Sequence, residues 1–166
     1  MRVMSLNIWN YNEPWPRRRE LIVQAVRAAD PDVVAFQEIR SDPERDGRDD
    51  GGQRLNQAQQ IAARLPAYPY LAFQPAMYYP TGAWEGLAFL SRIPFADRDW
   101  VSLSRDPEDP EDRHQRIVLH AHFELPDGSF HLFNAHLSLS RAARVRNVRE
   151  ILSDLNRFAG PRLLVG

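Results

Sequence analysis

Along this chain, short runs of β-type apolar residues alternate with stretches whose apolar positions recur at helical spacing, the pattern of strands interleaved with amphipathic helices. Residues 2 to 9 read as a strand. After Pro14-Trp15-Pro16 a helix is expected, with Leu21, Ile22, Ala25, Val26 and Ala29 on one stripe and Asp30-Pro31 ending it. Residues 32 to 38 form a near-continuous apolar run, as a strand buried on both faces should. The polar, Gly- and Asp-rich stretch from Ile39 to Gln53 reads as an exposed loop, and a second helix follows, ending near Leu65-Pro66. Strands are expected at about 68 to 74, 86 to 91 and 97 to 103.

An acidic, Pro-containing loop from Arg105 to Arg113 precedes a hairpin of Gln115 to Leu125 and Ser129 to Leu137. With Asp127-Gly128 as its two-residue turn, Leu119 faces His136 and Ala121 faces Asn134. Ile117, Leu119, Ala121, Phe123, Phe130 and Leu132 then share one face, and His136 lies on that buried side. A last helix carries Val145, Val148, Ile151, Leu152, Leu155 and Phe158, and Leu163-Leu164-Val165-Gly166 begins a further strand. Chain termini are usually polar and frayed, so a core-like run at the end leads us to expect that the reading frame was cut.

Composition narrows the picture. At 166 residues and 43% apolar, the chain has the size and core of one domain, expected to span 1–166 and to be incomplete at its C-terminus. A formal net charge of -1 provides no global basic field, so any contact with nucleic acid must be local. All 21 basic residues are Arg, which excludes Schiff-base chemistry and a P-loop lysine. The absence of Cys removes thiol nucleophiles, disulfides and thiolate zinc sites. Unbroken apolar runs reach four residues, against the ~20 that cross a bilayer, and residues 1 to 9 lack the long apolar core of a signal peptide. A cytoplasmic monomer is the expectation.

Three apolar strands deliver a polar group at or near their C-terminal ends: Asn7, Glu38 and His136. Groups so placed can converge on one cleft. Singly, each has an ordinary explanation, as turn former, cap or core histidine. A buried imidazole needs a partner, and Glu85, which precedes the run Gly86 to Leu90, is the candidate. A carboxylate on one ring nitrogen would orient the ring and leave the other nitrogen to donate toward a phosphate oxygen.

These residues sit in four segments, Leu6-Asn7-Ile8-Trp9, Val34-Ala35-Phe36-Gln37-Glu38, Glu85 to Arg92, and Phe133-Asn134-Ala135-His136-Leu137. In order and spacing they resemble successive motifs of the endonuclease/exonuclease/phosphatase family, over the whole chain. The resemblance implies the deoxyribonuclease-I-like α/β fold, a four-layer α/β/β/α sandwich with two packed mixed β-sheets. It implies a hydrolase of phosphoester or phosphodiester bonds that uses Mg²⁺ (or Mn²⁺). Glu38 would ligate the metal with Asn7 beside it, while His136 with Glu85 would bind the phosphoryl group or assist the leaving group. Asn134 and Arg116 would bind substrate, although the derived register puts Arg116 on the face opposite His136.

The family normally continues after a Leu-Leu-Val-Gly strand with Asp-Phe-Asn, and carries a later Asp-His pair whose His activates water. Neither follows here, so the 166 residues are expected to show little or no hydrolysis by themselves. One alternative is a non-catalytic binding module on the same fold. Another is a zinc site on His120, His122, Glu124 and His131, which share the face opposite His136; a wet or helix-covered sheet face explains that row more simply. Nucleic acid, phospholipid head groups of the sphingomyelin type, inositol phosphates and small phosphodiesters all suit the family. The loops 39–53, 78–83 and 105–113 are expected to shape access, and the acidic character of 106–112 disfavours a polyanion nearby. Arg141, Arg144, Arg146 and Arg149 read as a solvated helix face rather than a track for a nucleic-acid backbone.

Overall fold

A computed structural model describes residues 1–166, and the chain divides into two units, Met1–Pro94 and Phe95–Gly166. The first unit runs β1 (Val3–Asn7), α1 (Trp15–Ala29), β2 (Val33–Ser41), a small ribbon of β3 (Gly47–Arg48) and β4 (Arg54–Leu55), α2 (Gln57–Ala62), β5 (Tyr70–Tyr78) and β6 (Trp84–Ser91). Its main sheet has the order β1-β2-β6-β5, parallel between β1 and β2 and antiparallel elsewhere. Both helices cover one face, where Trp15, Val23 and Val26 meet Val34, Phe36, Ala58, Ile61, Ala88 and Leu90. The other face carries Val33, Ala35, Leu87 and Phe89, all buried, so β2 and β6 are apolar on both sides, as the continuous run of 32 to 38 anticipates.

The buried stripe of α1 differs from the expected one. Trp15, Val23 and Val26 are buried, whereas Leu21 is 53% exposed and Ala25 and Ala29 lie outside. Trp15 sets the phase: with Ile22, Val23 and Val26 it falls on one helical face, which turns Leu21 outward. Asp30 ends the helix in the left-handed region at φ 47, its N–H bonded to Val26 O at 2.9 Å. The stretch from 39 is also more ordered than its composition suggests. Strand β2 continues to Ser41 with Ile39 fully buried, and the Asp46 carboxylate accepts from Tyr11 Oη at 2.7 Å and Ser41 Oγ at 2.9 Å. Gln60 extends this network by donating to Tyr11 Oη at 2.8 Å and accepting from Trp15 Nε1 at 2.9 Å.

The second unit runs β7 (Asp97–Ser102), β8 (Ile117–Leu125), β9 (Gly128–Ala135), α3 (Arg141–Leu155) and β10 (Arg162–Val165), with sheet order β10-β9-β8-β7 and β10 parallel to β9. The hairpin register is two residues away from the expected one: Leu125 pairs with Gly128 and Leu119 with Asn134. Pro126 and Asp127 form the turn, because proline presets φ for the first central position and Gly128 suits the position after the second. A shift of two preserves the faces, so Ile117, Leu119, Ala121, Phe123 and Leu132 are buried together as anticipated. Helix α3 packs on the opposite face through Ile151 and Leu155, with Phe158 of the segment that follows, against Val118, Phe133 and Ala135. Its phase is also rotated from expectation: Ala143, Asn147 and Ile151 are buried, while Val145 and Leu152 are about half exposed. Asn147 anchors that phase by donating to Ser104 O at 2.9 Å.

Candidate active site

Parallel pairing of β1 with β2 sets Asn7, the last residue of β1, beside Gln37, so Glu38 comes next to Asn7 where that pairing ends. Between Phe36 and Ile39 the register with β6 shifts, and two residues, Gln37 and Glu38, stand opposite Leu87 alone. Such a bulge re-aims a side chain. Gln37 and Ile39 are both buried, while Glu38, at φ 57, turns its half-buried carboxylate to the strand edge. There Oε1 accepts from Asn7 Nδ2 at 2.8 Å and Oε2 from Asn10 Nδ2 at 3.4 Å.

The Asn7 side chain is itself held, its Oδ1 accepting the Trp9 N–H at 2.8 Å. Trp9 and Asn10 adopt φ 57 and 35, so three of the four non-glycine residues with positive φ lie here; the fourth, Asp30, is the α1 cap. Left-handed backbone costs an L-residue roughly 1–2 kcal/mol, and strain of this kind concentrates at functional sites. Arg18 staples the segment by donating to the carbonyls of Ile8, Asn10 and Asn12. Burial lowers the Arg18 pKa, while the carboxylates of Glu13 and Glu38 act to raise it.

Glu85 sits in β6 between Arg40 and Met77 and is 4% exposed. Its Oε2 lies 3.6 Å from Arg40 Nη2 and accepts from Tyr79 Oη at 3.3 Å, and the Arg40 guanidinium lies over the Tyr79 ring at 4.2 Å. Burial, and then the charge of Glu85, raises the Tyr79 phenol. The next residue must be glycine: a Cβ on Gly86 would strike the Gln74 carbonyl and come within 2.8 Å of Pro75 Cα. Strand β5 bulges there, between Pro75 and Met77.

In the second unit Asn134 is fully buried near the end of β9, and half-buried His136 follows the last strand residue. The turn after His136 is clamped: Arg144 Nη1 donates to Ser138 O at 3.0 Å, and Ser140 caps α3 by accepting the Ala143 N–H at 3.1 Å. Asp112, 2% exposed, accepts from the Asp106 N–H at 2.9 Å and from Arg146 at 2.6 Å. The loop 105–113 thus closes on α3, and Arg144 and Arg146 hold internal partners instead of forming a free basic row. Arg116, immediately before β8, is 9% exposed, and its carbonyl accepts from the Leu103 N–H at 2.9 Å. A cavity of about 320 Å³ is lined by His136, Val148, Ile151, Leu164 and Gly166.

Asn7, Glu38 and Glu85 therefore belong to the first unit, and Arg116, Asn134 and His136 to the second. Within the first, Asn7 and Glu38 are brought into direct contact. Sequence reasoning missed Trp9, Asn10, Arg18, Arg40 and Tyr79. The Trp9-Asn10 pair after a strand was one available signal, since Asn tolerates the left-handed region. The histidine row is a stack: His120 Nε2 lies 2.9 Å from His131 Nδ1, the His122 and His131 rings lie 4.5 Å apart, and Phe158 packs over His120 and His131. No group of three or more His, Asp or Glu is arranged there or elsewhere to hold a metal, and no helix is long and apolar enough to cross a membrane.

A sequence profile of the Endonuclease/Exonuclease/phosphatase family matches residues 4–166, and the chain belongs to that family. No curated protein matches it. Among solved structures, the endonuclease/exonuclease/phosphatase from Beutenbergia cavernae is similar at 25% identity and a TM-score of 0.77, over 100% of this chain and 46% of that one. The mannosyl-6-phosphatase of Bacteroides thetaiotaomicron is similar at 22% identity and 0.68, over 99% and 63%. D. rerio TDP2 complexed with a single-strand DNA product is similar at 15% identity and 0.67, over 99% and 58%. The fold is the mixed α/β class of this family, and the chain spans between 46% and 63% of the length of these structures.

Proposed function

We propose that the chain serves metal and phosphate binding in a divalent-metal-dependent phosphoester hydrolase, Asn7 and Glu38 of the first unit acting toward the metal and His136 and Asn134 of the second toward the phosphoester. The observation that carries this reading is the Asn7–Glu38 contact, 2.8 Å long, between the end of β1 and the strained bulge of β2. Carboxylate and amide oxygens are the donors that Mg²⁺ prefers, and Mg²⁺ is typically bound by one or two carboxylates with water and phosphate completing its shell. The Glu38 carboxylate fits that requirement and would hold Mg²⁺ or Mn²⁺, with Asn7 beside it, its amide oxygen accepting the Trp9 N–H. Bound there, the ion would supply charge neutralisation to the phosphoryl oxygens.

The chain's own residues divide the remaining work. Asn7 and Asn10 orient the Glu38 carboxylate through their amide N–H groups. Arg40 and Tyr79 keep the Glu85 carboxylate fixed, and in the second unit a ring nitrogen of His136 would donate to a phosphoryl or leaving-group oxygen. Asn134, on the same face of its strand as His136, would add a donor for the same oxygens. None of these residues is assigned to activating water, so on this reading the 166 residues bind metal and phosphoester yet turn it over slowly or not at all.

Titration of a phosphomonoester, followed by ³¹P NMR in the presence and absence of Mg²⁺, tests this directly. Mg²⁺-dependent binding that is lost in Glu38→Ala and weakened in His136→Ala is expected. Binding indifferent to both substitutions would remove the reading, and clear Mg²⁺-dependent turnover by the purified chain would overturn its last part.

A further inference from the structure

We infer that Trp9 is a preformed stacking platform that selects phosphoesters carrying a neutral planar ring, an inference that rests on the reading of Asn7 and Glu38 given above. Trp9 is 59% exposed, and a bulky residue at φ 57 is a genuine outlier. Nothing in the core requires an indole there. Its backbone N–H is bonded to Asn7 Oδ1 at 2.8 Å, so the ring is tethered two residues from the group that contacts Glu38.

The inner face of the ring is already occupied. The Arg18 guanidinium lies over the Trp9 ring, 5.3 Å from its centroid, and over the Trp15 ring, 5.9 Å from its centroid. Arg18 cannot wander, because it is also bonded to the carbonyls of Ile8 and Asn12. The platform is therefore ordered before any ligand arrives, which lowers the entropic cost of stacking on it.

The same cation defines what the outer face accepts. A guanidinium on one face draws on the electron density that attracts cations to an indole, so a second cation on the other face is disfavoured. A quaternary ammonium head group is thereby selected against. A neutral planar ring, such as a nucleobase, stacks without that conflict, and one base on an aromatic side chain strengthens binding by about tenfold or more.

Calorimetric titration with adenosine 5′-monophosphate, glycerol 3-phosphate and phosphocholine in Mg²⁺ tests the inference. The wild-type chain is expected to bind the adenosine ester about tenfold more tightly than either other ligand. Trp9→Ala should close that gap, and Trp9→Phe should keep most of it, with circular dichroism unchanged in both. Equal affinity for the three ligands, with all three lost in Glu38→Ala, overturns the platform and leaves the phosphoester reading standing. A gap that persists in Trp9→Ala, or a preference for phosphocholine, also overturns it. Failure of all three ligands to bind contradicts both.

Discussion

The Asn7 amide, at the end of β1, donates to Glu38 Oε1 at 2.8 Å, where the parallel pairing ends and β2 bulges. An amide opposite a carboxylate is compatible with a free carboxylate and with a metal-bound one; a second carboxylate at that distance is tolerated only when a cation neutralises the pair. In Asn7→Asp, like charges raise one of the two carboxyl pKa values in the folded state. A raised folded-state value gives stability that is present at low pH and lost as pH rises through it. Thermal melts of Asn7→Asp should therefore fall relative to wild type on going from pH 4 to pH 8, and Mg²⁺ should restore the loss. A variant that melts in parallel with wild type at every pH, with or without Mg²⁺, would contradict this account of the pair.

Gly86 permits the close approach of β5 to β6 beside Glu85, and the obstacles to a Cβ are backbone atoms of Gln74 and Pro75. Backbone cannot rotate away as a side chain can. Gly86→Ala is expected to destabilise the chain by about 2 kcal/mol or more in urea unfolding. Gly51→Ala, which meets only the Asp49 side chain, should leave the midpoint nearly unchanged.

Asp112 shows how the loop before β8 is held. Burial alone would raise its pKa, but hydrogen bonds from the Asp106 N–H and from Ser138, together with Arg146, hold it below the usual carboxylate range. Removing Arg146 strands a buried charge. Arg146→Ala should cost about 2 kcal/mol, since the guanidinium is partly exposed, whereas Arg149→Ala on the exposed side of the same helix should cost under about 0.5 kcal/mol. Equal effects of the two substitutions would show that the pair does not hold the loop.

The histidine stack predicts an acid limb. Burial, and next the neighbouring His131, lowers His120 to about 4, while Asp97 and Asp154 act in the opposite direction. Burial also lowers His131, aided by His122 and Arg162. The unfolded chain titrates near 6.5 and binds more protons between these limits. The contribution of His120 is therefore complete above about pH 6.5 and is lost as pH falls toward about 4, amounting to about 3 kcal/mol. Urea midpoints measured across that window should fall on acidification, with a shallower slope in His120→Phe; a flat profile in the wild-type chain would refute this.

The sequence shows where the strands end better than how the backbone behaves there. Asn7 and His136 are readable at strand ends because apolar runs of limited length must stop and a polar residue marks the stop, whereas Glu38, read in the same way, lies at a bulge inside β2, which continues to Ser41. Their family resemblance supplied the rest of the expected site. The bulge that frees Glu38 was not readable, since Gln37-Glu38-Ile39 also continues an ordinary strand. The partners of Glu85 were equally hidden: Arg40 reaches it only through the register of β2 on β6. The hairpin slipped by two because Asp127-Gly128 is a strong turn signal that Pro126 overrides. The α1 stripe was misphased because a buried anchor, Trp15, outweighs several smaller apolar residues in setting which face turns inward, and in α3 the buried Asn147 shares the inward face with Ile151 in the same way.

The most direct measurement is Mn²⁺ titration of the purified chain, read by the loss of the free-ion electron paramagnetic resonance signal. One ion per chain is predicted to bind to wild type and to be displaced by Mg²⁺, and binding should be lost in Glu38→Ala with the circular dichroism spectrum retained. Unchanged binding in a folded Glu38→Ala variant, or no binding by the wild-type chain, would contradict the assignment of Asn7 and Glu38 as the metal end of a phosphoester site.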